Sequence, residues 1–477
     1  MSNESLDFLF HPHSITFAGI TVANPEHWTR IFLHAIRELG YEGPMYLVNL
    51  RGGEIDGLKV YRRLEDISHG IDYVISTVPA RAAPGLVEAC AEKGVRAVHF
   101  CTSGFSETGE PEGIKLEAEL SRIAREKHIR VIGPNCMGIY CPESRISFDM
   151  DFPKESGSVA FVSQSGGNCT DLIKNAKLRG IRLSKVISYG NACDLDESDF
   201  IDYLATDPDT KIIAIYIEGV KDGTKLRRAL EKAVKGKVVI LLKGGVTEAG
   251  ARAAASHTAS LAGSEAIWDS LCKQLGIIRV SSLDELIDVL VTLVFMSQPC
   301  GRNAAIIGGG GGASVLITDE FEKKGLKVPL LPQEIRNQMR QFTPIAGNIL
   351  QNPVDYSQNI LEVDSVVKAV NILAQWEGVD LVVEFLRPTH APRTPDERGR
   401  RILRMADGLL QASRNVAKPA AIVLEHSILP EQVQEIFALT QEFIALGLPV
   451  YFSFASAANA INAVLNYYEN QLSQIGT

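Results

Sequence analysis

From one end to the other, this chain alternates short β-branched apolar runs with longer stretches whose apolar positions recur every three or four residues. The short runs, bounded by Gly, Pro, Asn and Asp, read as strands buried on both faces, and the longer stretches as amphipathic helices. Strict alternation of the two predicts parallel sheets with helices on both sides, an α/β fold. The first succession is SITFAGI (residues 14–20), a helix from about Glu26 to Leu39, PMYLVNL (44–50), GIDYVISTV (70–78), a helix over 83–94, AVHFCTSG (97–104), a helix over 114–127 and IRVIGPNC (129–136). It predicts a Rossmann-like domain over residues 1–145. A stretch over 142–158 with two prolines and few periodic apolar positions marks its end. A second domain over 155–299 contains SVAFVSQSGG, KIIAIYIEG and KVVILLKGG, and a third over 301–470 contains NAAIIGGGGGAS, LVVEFLRP, AAIVLEHS and LPVYFSF.

The second and third domains read as weak repeats of one flavodoxin-like unit. VAFVSQSGG matches AAIIGGGGG, Asn191-ACD matches Asn352-PVD, IYIEG resembles VEFLR, and Glu218 is read as the counterpart of Glu384. Duplicated architecture need not mean duplicated chemistry.

Composition narrows the function classes. The 477 residues are 45% hydrophobic and 22% charged, the balance of a globular protein with several cores. A net charge of −9 argues against a general nucleic-acid binder but leaves room for a local basic pocket. The eight cysteines are scattered without a CxxC pair or a histidine at metal-ligand spacing, which points to reduced thiols in a cytoplasmic protein and to no metal site. The start, MSNESLDFLFHPHS, carries no signal-peptide pattern, and the apolar run over 286–296 contains Asp288 and reads as a core helix rather than a membrane span.

Candidate chemistry begins at residues 248–264, EAGARAAASHTASLAGS, between a strand and a helix. Its small side chains predict a movable loop, and its single histidine, His257, can act as a nucleophile that carries a group between two steps. The alternative is a locally hydrogen-bonded loop histidine. FVSQSGGNCTDLI (161–173) is a strand running straight into a glycine turn and a helix, so Ser163, Ser165, Gly166 and Gly167 can cradle a phosphate at the positive helix end. Ser165 reads equally well as a simple N-cap. The five glycines 308–312 form the equivalent turn of the third domain and carry no site assignment. Glu218 ends a strand, where a carboxylate can hold a histidine tautomer or pair with Lys221. In the first domain the opening turn has only Gly19, without GxGxxG, and the second strand ends in Arg51 rather than a carboxylate. That argues against a dinucleotide oxidoreductase and suits a phosphorylated ligand.

AGARAAASHTASLAG, SVAFVSQSGG, AIYIEGV and VIGPNCMG, in this arrangement, resemble the alpha subunit of NDP-forming acyl-CoA synthetases, which include the ADP-forming acetate–CoA ligases and, more distantly, succinyl-CoA synthetase. The resemblance spans nearly the whole chain. It implies a CoA-binding domain followed by two flavodoxin-like ligase domains, and an enzyme interconverting acyl-CoA, ADP and phosphate with free acid, ATP and CoA through an acyl phosphate. By the resemblance, His257 takes the phosphoryl group and Glu218 pairs with it. Ser165, Gly166 and Gly167 bind phosphate, while Val78, Pro79, Ala80, Ser103, Gly104, Phe105 and Asn135 contact CoA. The nucleotide, ATP or ADP with Mg2+, is expected on a separate ATP-grasp beta subunit in an α2β2 assembly. The chain departs from the family where Ala259 replaces a glycine, where His27 and Trp28 occupy the first turn, and at the glycine run of the third domain. The altered first turn, with no further stretch long enough for an ATP-grasp domain, motivates a rival reading, a non-catalytic CoA- or acyl-CoA-binding protein that keeps the fold.

Overall fold

In the computed structural model, which describes residues 5–258, 264–357, 362–387, 395–424 and 430–475, the strand runs assemble into three sheets. The chain forms two compact units. One comprises residues 1–177 and 182–283 and holds the first two sheets; the other comprises 178–181 and 284–477 and holds the third.

The first sheet is built from β1 (Ile15–Ala18), β2 (Met45–Val48), β3 (Gly53–Ile55), β4 (Leu58–Tyr61), β5 (Tyr73–Ser76), β6 (Ala97–Phe100) and β7 (Arg130–Ile132), in the order β3-β4-β2-β1-β5-β6-β7. All neighbours are parallel except β3 with β4. Val74, Val98, Phe100 and Val131 on one face are fully buried against Val87 and Leu120 of the covering helices. A short helix, Asp7–Phe10, precedes β1, and the helix after β1 begins at Ile31 rather than near residue 26, because Trp28–Arg30 form a 3-10 turn. The His27 ring caps that turn by accepting the Thr29 N–H at 3.3 Å.

β8 (Gly138–Tyr140) follows β7 after five residues and joins the second sheet, where it runs antiparallel to β10. With β9 (Val159–Ser163), β10 (Leu183–Ser188), β11 (Ile212–Ile217), β12 (Val238–Lys243) and β13 (Ile278–Val280), the order is β13-β12-β11-β9-β10-β8. The third sheet has β14 (Ala304–Gly308), β15 (Ile349–Leu350), β16 (Val354–Asp355), β17 (Leu381–Leu386), β18 (Ala420–Leu424) and β19 (Val450–Tyr451), ordered β15-β16-β14-β17-β18-β19. Read in reverse, this is the second sheet strand for strand, with an antiparallel edge pair in each.

The ladders correct two details of the repeat. Tyr216 pairs with Ser163, and Phe385 pairs with Gly308. With Ser163 matched to Gly308, Glu218 therefore corresponds to Arg387, and Glu384 to Ile215. Asn352 precedes β16 and satisfies backbone groups of Ile306 and Ala304, whereas Asn191 follows β10. Short apolar strings slide against one another without penalty in a sequence match; backbone hydrogen bonds allow one register.

A second correction concerns residues 248–264. Glu248–Thr258, including His257, is an α-helix rather than a loop. Its alanines favour helix, and the Thr247 hydroxyl accepts the Gly250 N–H at 3.0 Å at its start. Residues 259–263, with Ala259, lie outside the described residues. Among the described residues, no helix is long and apolar enough to cross a membrane.

Candidate active site

In each sheet the parallel strands begin on an inner strand, β1, β9 or β14, fill one side of it first and then cross to the other. The crossing points lie between β1 and β5, β9 and β11, and β14 and β17. Loops diverge at the carboxyl ends of such strand pairs and leave a crevice there. Most of the candidate residues lie at the first two of these rims.

At the β9/β11 crevice, the residues after β9 turn into the helix Gly166–Leu178. The Ser165 hydroxyl accepts the Asn168 N–H at 3.3 Å, so Ser165 is the N-cap. Ser163 is fully buried; its hydroxyl donates to the Ser165 carbonyl at 2.8 Å and accepts the Ser165 N–H at 3.2 Å. It shapes the turn from beneath. Gly166 has no room for a side chain, since a Cβ there would lie 2.7 Å from Met137 Cγ.

Ser165, Gly166 and Gly167 share a cleft of about 330 Å³ with Cys101, Asn135, Cys136 and Met137 from the first domain, and with Gln164, Gly190 and Asn191 from the second. Hydrogen bonds hold the wall from the first domain in place. Asn135 holds a positive φ of 59°, its N–H bonds the Thr102 carbonyl at 2.9 Å, and its amide faces Asn191 Oδ1 at 3.4 Å. Asn191 is almost fully buried, and its Nδ2 donates to Glu107 Oε2 at 2.5 Å and Glu117 Oε2 at 2.9 Å. Lys221 anchors the same turn through the Asn191 and Ala192 carbonyls at 2.7 and 2.9 Å. Burial pushes the Cys101 thiol up to about 12 and the Cys136 thiol well above its ordinary range, so both line the cleft as neutral thiols.

Glu218 sits just past β11 and is 6% exposed. Three neighbours fix it. Its N–H and that of Gly219 donate to Gln164 Oε1 at 2.9 and 3.2 Å; the Tyr216 hydroxyl donates to its Oε1 at 3.2 Å; and Lys243 Nζ donates to its carbonyl at 2.6 Å and to the Gly244 carbonyl. Burial, assisted by the Glu218 charge, pushes the Tyr216 phenol up to about 12, which keeps it a donor. Burial lowers the Lys243 ammonium from the ordinary lysine range. Gly245, at φ +72°, brings the chain back under Ala254, so the helix bearing His257 starts beside this crevice. The same helix runs alongside the Ser106–Thr108 turn of the first domain.

On the first sheet's rim, Gly19 ends β1 at φ +87°, where a Cβ would lie 2.7 Å from the Val78 nitrogen. Val78, Pro79 and Ala80 follow β5, and Ser103, Gly104 and Phe105 follow β6. Ser103 and Pro79 are exposed, whereas Phe105 is fully buried in the core. The Gly104 and Phe105 N–H groups are already taken by the Glu107 carboxylate at 2.5 and 3.1 Å. Arg51 lies apart from the phosphate turn, in a second cleft of about 340 Å³ with Lys59, Tyr61 and Arg62. The sequence reading missed Gln164, Lys243, Glu107 and the cleft role of Asn191. Of these, only Gln164 left a signal, as the middle residue of the SQS string.

The family model of a CoA binding domain matches residues 13–142, and that of a succinyl-CoA ligase like flavodoxin domain matches residues 156–293. The alpha subunit of acetate–CoA ligase [ADP-forming] II from Pyrococcus furiosus is 34% identical over 468 residues, covering 98% of each chain. The alpha subunit of acetate–CoA ligase [ADP-forming] I from the same organism is 36% identical over 357 residues, covering 74% of this chain and 76% of its own. The dinucleotide forming acetyl-coenzyme A synthetase 1 of Ca. Korarchaeum cryptofilum, solved in complex with phosphate and ADP, superposes with a TM-score of 0.82 at 29% identity over 99% of both chains. Matched in domain order, fold and sequence along nearly its full length, the chain belongs to the family of ADP-forming acetate–CoA ligase alpha subunits.

Proposed function

We propose that this chain is the alpha subunit of an ADP-forming acyl-CoA synthetase, which interconverts an acyl-CoA, ADP and phosphate with the free acid, ATP and CoA. In the direction of ATP synthesis, phosphate held at Ser165–Gly167 attacks the thioester carbonyl. The carbon–sulfur bond breaks and CoA leaves as the thiol, giving an acyl phosphate. A ring nitrogen of His257 then attacks phosphorus, and the carboxylate leaves. The phosphohistidine finally yields its phosphoryl group to ADP. Glu218, already oriented by Gln164, Tyr216 and Lys243, is the carboxylate that holds the His257 tautomer and stabilises the imidazolium character that develops. CoA lies along the first sheet's rim, from the Arg51 cleft past Gly19, Val78–Ala80 and Ser103–Gly104 to Asn135, with its thiol end in the shared cleft.

The reading rests on one observation: a single cleft takes one wall from the CoA-binding domain and the other from a helix-start turn coupled to a buried carboxylate. A protein that only bound CoA would have no use for a triply braced Glu218, so the catalytic reading stands above the binding-only one. Relatives of this family are named as alpha subunits, which implies a beta partner in those enzymes. Here we assign to that partner an ATP-grasp nucleotide site with its Mg2+, in a cytoplasmic α2β2 assembly.

The test is phosphoryl labelling. The chain, co-expressed with its beta subunit and incubated with γ-labelled ATP, takes up acid-labile, base-stable label. His257→Ala abolishes both label and turnover. An unlabelled wild type that nevertheless turns over, or an active His257→Ala, removes the histidine from the mechanism.

A further inference from the structure

We propose that Gln164 serves two sides of the cleft at once. Its Oε1 fixes the strand end that carries Glu218, and its Nε2 donates a hydrogen bond to the phosphate or phosphoryl oxygen held at the start of the helix Gly166–Leu178. The inference rests on the functional reading above for the identity of the anion.

The orientation follows from donors alone. Two backbone N–H groups, of Glu218 and Gly219, converge on one terminal atom of the Gln164 side chain at 2.9 and 3.2 Å. A backbone N–H can only donate, so that atom is the carbonyl oxygen and the other terminal atom is the NH2. Both amide donors are thereby turned away from β11. Nε2 makes no hydrogen bond among the described residues. The residue is 5% exposed and lines the cleft, so these donors open on the same space as Gly166 and Gly167. Those glycines occupy the first turn of a 13-residue helix, where N–H groups have no intrahelical acceptor. No carboxylate is among the residues that line the cleft, and Glu107 and Glu117 accept from the Asn191 amide. An oxyanion there meets donors from the helix start and from the strand crossing together. The backbone of Gln164 is tied to the same crossing, since its N–H donates to the Tyr216 carbonyl at 3.2 Å. Anion binding and Glu218 placement are therefore coupled through one amide.

Two substitutions separate the two sides. Gln164→Met removes acceptor and donor; Gln164→Glu keeps the acceptor oxygens and loses the NH2. In the complex with the beta subunit, assayed towards ATP synthesis with inorganic phosphate varied, both raise the KM for phosphate about tenfold or more, the loss of one hydrogen bond to a charged group. Only Gln164→Met also lowers the melting temperature and kcat, because only it frees the Glu218 backbone. A purely structural Gln164 gives the opposite split: Gln164→Glu behaves as wild type, which overturns the proposal. So does a wild-type KM for phosphate in Gln164→Met, and if that variant does not fold, Gln164→Glu alone decides. A wild-type complex that turns over no acyl-CoA with ADP and phosphate instead overturns the functional reading, a result distinguishable from either variant outcome.

Discussion

Glu384 is a carboxylic acid in the middle of a sheet. It is the fourth residue of β17, paired with Ile307 and Ile422, and alternation puts its side chain on the same face as Val382 and Leu386, in the apolar core of the second unit. It is fully buried, and neither carboxyl oxygen has a hydrogen-bond partner among the described residues. Burial alone pushes it from 4.5 up to about 8, so it is a neutral acid at physiological pH. The folded state then holds a proton that the unfolded chain releases at about 4.5. The stabilisation this provides is complete below that pH and is lost as pH rises to about 8, at about 1.4 kcal/mol per pH unit, a total on the order of 5 kcal/mol. Glu384→Gln keeps size and polarity but cannot ionise. Hydrogen exchange of β17 amides, followed by mass spectrometry and corrected for intrinsic rates, reports the local opening energy at each pH. The difference between wild type and variant should shift steadily in favour of the variant from pH 5 to pH 8 and level off above. A difference that stays constant with pH would refute the claim that this carboxyl is neutral in the folded protein.

Glu218→Gln retains the backbone bonds to Gln164 and Lys243 but loses the charge, so turnover should fall at least a hundredfold with an unchanged melting temperature; steady-state kinetics with a thermal scan decides, and unchanged turnover would reduce Glu218 to a strand-end residue. Asp207 accepts from the fully buried Lys185 at 2.8 Å and from Thr210 at 2.6 Å. Asp207→Ala leaves that ammonium in the core with only the more distant Asp209 carboxylate at 3.6 Å among the described residues, and should cost about 3 kcal/mol. The paired replacement Lys185→Met with Asp207→Leu should recover most of this in denaturant unfolding, and a double variant no better than the single one would contradict it.

The α/β class, the three sheets and the strings that mark the family were legible in the chain, because strand and helix periodicity are local properties. So was the helix-start turn at Ser165–Gly167, whose chemistry follows from adjacent residues. Residues 248–258 were misread as a loop because small side chains suggest freedom, whereas alanine is itself a strong helix former. What the sequence could not set was register and reach. Glu218 corresponds to Arg387 and not to Glu384 only because the ladders pair Tyr216 with Ser163 and Phe385 with Gly308. Phe105 and Ser163, which looked like ligand contacts, are fully buried. Gln164 meets Glu218 across 54 residues of chain, and Asn191 meets Glu117 across 74. Such pairs form only where a strand crossing brings distant segments to one rim, so their geometry belongs to the assembled sheets and not to any stretch of the chain alone.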